Sequence, residues 1–279
     1  DLARHAANTF HGEVLESAEG VSGAVFVDAL FGIGLSRPVA DDLRGMLFDL
    51  RASHRHAVAL DVPSGVDADR GASQQDLPPF DLTLAFGAWK PAHFSGETLG
   101  RLGAVQLVEI GVPDRGWAMR LSEPSQIAPP EFAAHKYSRG LVAVVGGAMA
   151  GASLLAARAA GLAGAGYVKW MSEHDHPGHP PDLVKDDAPL GKALSDDRIA
   201  AILIGPGLGR DDGARARLEA ALGAGRPSVL DADALHLLTP AMLADRNAPT
   251  ILTPHEGELA WLCEAFNVDG ETKLERARA

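Results

Sequence analysis

The sequence predicts an α/β protein of two domains, and three observations carry that reading. Short aliphatic runs alternate with helix-compatible segments from one end of the chain to the other. Three of these runs, Ala201–Ile204, Ser228–Leu230 and Thr250–Leu252, lead into GPGLG (Gly205–Gly209), LDADAL (Leu230–Leu235) and LTPHEGEL (Leu252–Leu259). Glycine amides, carboxylates and a histidine thus gather where parallel strands end, the edge at which open α/β sheets bind ligands. Finally, 279 residues with 46% hydrophobic content exceed one typical small domain and supply a core to each of two.

Taken in order, Ala24–Leu30 (AVFVDAL) reads as a buried strand ending in the turn Phe31-Gly32-Ile33-Gly34, and Asp42–Ser53 has helical spacing. Ala57–Val62 (AVALDV) is a second strand, closed by Pro63-Ser64-Gly65-Val66-Asp67. Leu82–Phe86 and Val105–Val108 are further short strands. Proline and polar residues from Ser122 to His135 break the periodicity and mark the linker. Beyond it, Leu141–Val145 is a strand running into Gly146-Gly147, Ala152–Leu162 an alanine-rich helix, Gly166–Met171 a strand, and Glu173–Asp187 a polar loop rich in proline and histidine. Alternation then continues to the end.

Charge and composition exclude several classes. The net charge of −12 repels a phosphate backbone, so no nucleic-acid partner is expected. An anionic ligand would instead be met by glycine amides and helix N-termini. One cysteine, Cys263, permits no intrachain disulfide, and its place on the stripe Leu259, Leu262, Cys263, Phe266 reads as core. No stretch has the length of a membrane span, and the first residues lack a signal-peptide layout, so a soluble cytoplasmic protein is expected.

Several constellations invite chemistry, each beside a plainer reading. Asp28 sits at a strand tip followed by glycines where backbone could approach a ligand; alone, it is an Asp-capped turn. Asp61 repeats the arrangement at the next tip. With the Ser64 hydroxyl, the two tips make an all-oxygen site for a hard cation or for sugar hydroxyls. Gly146–Gly151 is superficially like a dinucleotide-binding turn. It has Ala148 where glycine is required and Lys169 in the following strand where an acid should end it, so an ordinary NAD site is disfavoured. His174, His176 and His179 lie in a Pro-rich loop and read as solvated residues, not metal ligands. Three glycines in Gly205–Gly209 exceed what a turn needs, which argues for close ligand approach. Asp231 is equally a helix cap, and His255, ahead of Glu256 and Glu258, is as readily an exposed pre-helix residue as a ligand contact.

The runs VDALFGIGLSRP, ALDVPSGVDADRG, FGAWKPAHFSG, HKYSRGLVAVVGGAMAGASLLAARAAGLAGAGYV, ILIGPGLGRD, VLDADAL and LTPHEGEL are collinear and cover nearly the whole chain. Together they closely resemble the bifunctional NAD(P)H-hydrate repair enzymes. The resemblance implies two three-layer α/β/α domains: a Rossmann-like NAD(P)HX epimerase over residues 1–122 and a ribokinase-like, ADP/ATP-dependent NAD(P)HX dehydratase over residues 133–279, with residues 123–132 as the linker. It implies potassium ligation by Asp28 and Ser64. Contacts to the hydrated dinucleotide would come from Gly32, Ile33, Gly34, Leu35, Ser36, Arg37, Pro38 and Asp61. Ala152, Gly207 and His255 would be substrate contacts in the dehydratase half. The cofactors implied are K+ for epimerisation and ADP or ATP with Mg2+ for dehydration. The partner is the small molecule NADHX or NADPHX, and a homo-oligomer is expected. The chemistry implied is interconversion of the R and S hydrates, then phosphorylation of the S hydrate's ring hydroxyl and loss of phosphate.

The family's Asn-Asn-Gly-Gly-Asp loop ahead of the first strand is missing here, and so are its Lys-Gly run and its Gly-Ser/Thr-Gly-Asp motif after Ala279. The chain therefore reads as an interior piece of a longer protein, with the dehydratase's catalytic Asp expected beyond Ala279 and incomplete activity in both halves. Two rival readings stand beside this one, a ribokinase-like small-molecule kinase and a non-catalytic nucleotide-binding module.

Overall fold

The computed structural model describes residue 5 and residues 8–35, 37–73, 75–113, 121–122, 129 and 131–279. Most of the expected linker, residues 123–128 and 130, lies outside the described residues. The chain divides into two compact units, Asp1–Pro124 and Ser125–Ala279.

The first unit is a four-stranded parallel sheet in the order β1-β2-β3-β4: β1 Gly23–Asp28, β2 His54–Leu60, β3 Leu82–Phe86 and β4 Ala104–Val108. Helix α1, Asp41–Ser53, crosses from β1 to β2. Asp41 and Asp42 in its first turn and Arg51 in its last complement the helix dipole. Its Leu47 is fully buried against Phe26, Ala57, Ala59 and Phe80, and the two alanines let the helix approach the sheet closely. On the sheet's other face, Val25 and Val27 are about half exposed. A short 3-10 turn, Pro91–His93, and helix α2, Leu99–Leu102, connect β3 to β4.

Two of the four expected strand ends in this unit fall short, for local reasons. β1 stops at Asp28, not Leu30, because the Asp28 carboxylate accepts the Leu30 N–H at 3.3 Å and turns the chain. β2 stops at Leu60, not Val62, because Asp61 takes φ +70°, which no strand can contain.

The second unit is a six-stranded, wholly parallel sheet in the order β10-β9-β8-β5-β6-β7. The strands are β5 Leu141–Val145, β6 Tyr167–Met171, β7 Val184–Lys185, β8 Ile199–Ile204, β9 Ser228–Leu230 and β10 Thr250–Leu252. The longer helices are α3 Ala150–Leu162, α5 Asp212–Gly223 and α8 Glu256–Phe266. The shorter ones are α4 Leu190–Leu194, α6 Asp233–Leu237, α7 Pro240–Leu243 and α9 Lys273–Arg278. Alternation along β5 sends Leu141, Ala143 and Val145 into a core shared with α5 and α6, while Val144 joins Leu154, Ala157, Val168 and Trp170 beneath α3. Helices therefore cover both faces, which makes this unit three-layered. The polar segment after β6 is a loop apart from two-residue β7, which pairs with Lys169 and Trp170. Strand order reverses at β5, so the switch point lies between the ends of β5 and β8.

Trp170 has no exposed surface, stacks on His179 and donates its indole N–H to Ser153 Oγ at 2.9 Å. Trp170→Ala should cost about 3–5 kcal/mol of stability, read from urea midpoints at constant slope. A loss below about 1 kcal/mol would show that this face of the sheet does not depend on the indole.

Candidate functional site

The carboxyl ends of β1 and β2 are adjacent, with Asp28 in register with Ala59. Asp28 and Ser64 are each 1% exposed and bonded to one another: Ser64 donates Oγ–H to Asp28 Oδ1 at 2.6 Å and its backbone N–H to Oδ2 at 2.8 Å. Ser64 Oγ in turn accepts the Phe31 N–H at 3.1 Å, which ties the Gly32 turn to the same spot. Among the described residues, the hydrogen-bond partners of this buried carboxylate are neutral donors, Ser64 and Leu30. A buried carboxylate beside a hydroxyl oxygen, with no cationic side chain against it, is a donor set that fits a hard cation.

The turn itself is open to solvent. Ile33, Gly34, Arg37 and Pro38 are exposed, Gly32 and Leu35 are partly so, and Ser36 lies outside the described residues. Asp61 faces this turn: its Oδ2 lies 3.7 Å from where a Cβ on Gly32 would stand. Asp67, the other carboxylate of the run, accepts the N–H groups of Asp69 and Arg70 at 3.0 Å each and shapes its own turn. The structure thus brings Asp28, Ser64, Gly32 and Asp61 to one edge.

Two residues that the sequence reading passed over meet Asp61 there. Lys90 forms an ion pair with Asp61 Oδ1, both side chains being 15% exposed. His93, 2% exposed, contacts the Asp61 carbonyl through Nε2 at 2.8 Å and accepts the Lys90 N–H on Nδ1 at 3.0 Å. A ring nitrogen that accepts a backbone N–H carries no proton, so neutral His93 bears its proton on Nε2 and donates it to Asp61. Burial lowers the His93 pKa, the Asp61 hydrogen bond opposes the shift, and the Lys90 charge adds to it. The available signal was WKPAH itself, a lysine and a histidine directly after a strand end.

In the second unit, the glycines after β5 and β8 make room for backbone. A Cβ on Gly205 would lie 1.7 Å from the Asp231 carbonyl oxygen. One on Gly147 would lie 2.1 Å from that of Leu208, and one on Gly207 2.5 Å from that of Met149. Gly205, Gly207 and Gly209 also hold φ of +131°, +67° and +89°. Ala148 and Met149 donate their N–H groups to Leu208 and Gly207 at 3.2 and 2.9 Å, closing the two loops on each other. Neighbouring protein backbone thus accounts for the glycine at Gly147, Gly205 and Gly207, while a Cβ on Gly209 would meet only the Ala148 and Ala214 side chains at 3.4 and 3.9 Å. Gly207 is buried beside Ala152, whose Cβ would stand 2.9 Å from a Cβ on Gly207.

The β9 tip ties to its neighbours on both sides. Asp233 accepts the Gly209 N–H at 3.0 Å and Arg210 Nε at 2.8 Å, while Asp231 accepts Thr253 Oγ1 at 2.8 Å. Burial alone would raise the Asp233 carboxyl; Arg210 and the Gly209 amide outweigh it and hold it below the ordinary range. Ala232 between them has φ 47° and ψ −121°, a conformation comfortable only for glycine. Asp231 does not cap the helix through its side chain.

His255 stands at the tip of β10, separated from β8 by β9, with its side chain 73% exposed. Its Nδ1 accepts the Gly257 and Glu258 N–H groups at 3.0 and 3.3 Å, and Glu258 returns a bond to the His255 N–H at 2.9 Å. His255 is thus the N-cap of α8 in a capping box, with its other nitrogen left toward solvent and 3.4 Å from Glu258 Oε1. In the segment after β6, where the histidines were expected to be solvated, His179 is instead partly buried and stacked on Trp170, while His176 accepts the Gly178 N–H at 3.0 Å.

Two family models match the chain. One, described as NAD(P)H-hydrate dehydratase, covers residues 142–279, and the other, YjeF-related protein N-terminus, covers residues 2–92. The bifunctional NAD(P)H-hydrate repair enzyme of Mycobacterium tuberculosis (strain CDC 1551 / Oshkosh) is 33% identical over 264 residues, covering 91% of this chain and 54% of that protein. The protein of the same name from Salinibacter ruber is 35% identical over 286 residues, covering 88% and 53%. A solved ADP/ATP-dependent NAD(P)H-hydrate dehydratase from Bacillus subtilis aligns at 29% identity and a TM-score of 0.40 over 49% of this chain and 51% of that one. The chain spans about half the length of the curated relatives it matches.

Two outcomes follow from this geometry. Gly207→Val should destabilise the second unit by about 3 kcal/mol or more, because the side chain meets the Met149 carbonyl at a positive φ; an unchanged melting temperature would refute the backbone-packing account. Since His93 has a lowered pKa, the stability it contributes is present above about pH 6.5 and is lost as pH falls toward its folded value. The urea midpoint of wild-type protein should therefore drop more between pH 7.5 and 5 than that of His93→Gln. Equal drops would mean that His93 does not stay neutral.

Proposed function

The chain belongs to the bifunctional NAD(P)H-hydrate repair family, and on that premise we propose that its first unit interconverts the R and S hydrates of NADH or NADPH while its second takes part in ADP/ATP-dependent dehydration of the S hydrate. The proposal assigns the first role to residues 1–122 and the second to 133–279, with 123–132 between them. The division of the chain near Pro124 supports it.

The single observation that carries this reading is the edge where Asp28, Ser64, the Gly32 turn and Asp61 meet. It offers a buried oxygen pair for a hard cation and, beside it, a carboxylate oxygen facing an open glycine turn. Asp28 and Ser64 would hold potassium, which would supply positive charge beside an anionic ligand seated on Gly32–Pro38. Asp61 would accept a hydroxyl proton of that ligand, and the buried Asp28–Ser64 pair would keep the turn in register through the Phe31 N–H.

In the second unit, a bound nucleotide would supply the phosphoryl group that turns a poor leaving group, hydroxide, into a good one. Ala152, Gly207 and His255 are the contacts the reading assigns to substrate. His255 suits the task because, with Nδ1 occupied as the cap, Nε2 carries the proton and lies toward solvent, 3.4 Å from Glu258 Oε1. Gly207, being buried, would act by shaping the loop on which Ala152 rests. Asp233 is assigned no acid–base step, since its two oxygens are bonded to Gly209 and Arg210.

The test is to incubate the chain with the R hydrate of NADPH, with and without potassium, and to follow the S form by chromatography. Interconversion that depends on potassium and falls roughly 10- to 100-fold in Asp28→Asn and Ser64→Ala is the expected result. Absence of interconversion in the wild type with potassium present, or full activity in both variants, would overturn the reading of the first unit.

A further inference from the structure

We propose that Lys90 and His93 are positioning residues for the Asp61 carboxylate, fixing its backbone and one oxygen so that Oδ2 is left as the acceptor for a hydroxyl of a ligand at the Gly32 turn. This deepens the isomerase reading of the first unit and rests on it: the ligand class is a hydroxylated ring compound whose hydroxyl is held by Asp61.

Asp61 is held from four directions. Its N–H donates to Leu84 O at 2.7 Å, its carbonyl accepts from His93 Nε2 at 2.8 Å, and its Oδ1 accepts both the Phe86 N–H at 3.0 Å and the Lys90 ammonium. The circuit closes because Lys90 also donates Nζ–H to Phe86 O at 2.8 Å and its own N–H to His93 Nδ1. Trp89 sets its ring edge-on to His93, 5.7 Å between centroids, and limits the imidazole's rotation.

These contacts oppose the conformation that Asp61 would otherwise adopt. With φ near +70°, Asp61 leaves the extended path that β2 follows up to Leu60, and a non-glycine residue persists there only when its surroundings over-determine it. The surroundings that do so are Leu84 and Phe86 of β3 and, from the segment that follows it, Lys90 and His93. What the arrangement achieves is a carboxylate with one oxygen committed to charge and amide, and the other without a hydrogen bond among the described residues, pointed at a glycine. A carboxylate held this way meets a hydroxyl without first reorganising.

Crystal structures of Lys90→Met and His93→Leu test the positioning without any ligand. Asp61 should leave the left-handed region, or its carboxylate should turn away from Gly32; Asp61 unchanged in both variants overturns the proposal. The functional arm uses the hydrated NADPH of R configuration as probe. Both variants should lose kcat by roughly 10- to 100-fold with KM altered less than about threefold, and His93→Gln, which keeps an N–H donor, should recover most of it. Unchanged kcat in Lys90→Met and His93→Leu would equally overturn the proposal. Should the wild type fail to interconvert the hydrates, the isomerase reading fails, and the crystal structures still decide whether Lys90 and His93 place Asp61. If His93→Leu does not fold, Lys90→Met and His93→Gln carry both arms.

Discussion

Backbone meets backbone, without room for one methyl group, where β5, β8 and β9 of the second unit end. The Asp231 carbonyl occupies the place of a Gly205 side chain, the Leu208 carbonyl that of Gly147, and the Met149 carbonyl that of Gly207. Much of this edge follows from that constraint. Because the loops are pressed together, Ala148 and Met149 can bond to Leu208 and Gly207, and Asp233 can reach both Gly209 and Arg210. Three loops that would be separate and mobile in a looser fold become one surface. The switch point between β5 and β8 is thus closely packed, and these loops have little freedom left to lose.

The first unit solves the same problem with side chains. Asp28 and Ser64 are buried together, and Asp61 is held in a strained conformation by groups from the next loop. Burying a carboxylate is unfavourable unless its oxygens are met. Asp28 is met by the Ser64 hydroxyl, the Ser64 amide and the Leu30 amide, Asp61 by an ammonium and an amide. The two carboxylates, one strand apart, therefore have different characters. One is surrounded by neutral donors and open to a cation; the other already has its cation.

Strand existence and location were legible in the sequence, since Ala24–Leu30, Leu82–Phe86, Leu141–Val145 and Thr250–Leu252 are short aliphatic runs bounded by turn residues, although Val25, Val27 and Ile251 prove to be exposed. Strand ends were less so. Asp28 and Asp61 terminate β1 and β2 through a side-chain bond and a positive φ, neither of which hydropathy encodes. The pairing of Asp28 with Ser64 could be anticipated, because both lie just past adjacent strands. Lys90 and His93 were marked only by their place directly after a strand end; their meeting with Asp61 depends on β3 lying beside β2, a fact of topology. The glycines of Gly205–Gly209 stood out by their number, but the backbone that Gly205 and Gly207 admit belongs to distant turns, which no local pattern reveals. His255, equally balanced on sequence alone, is a helix cap with its second nitrogen toward solvent beside Glu258, so the exposed pre-helix reading describes its setting.

The strand order of the second unit also sets the sequence of events during synthesis. β5 emerges early, yet the strand on its other side, β8, is made only after β6, β7 and α4. Until then one edge of β5 is open, a row of unpaired amides and carbonyls on a strand whose side chains are almost all apolar. The two loops that later press together cannot meet before β8 docks, so the edge they form is assembled late. Pairing between segments so distant in the chain is slow, and the waiting intermediate is the species most exposed to wrong partners. A nascent chain that stalls between α4 and β8 would thus be the form that chaperones must shield, although the finished sheet shows no sign of that vulnerability.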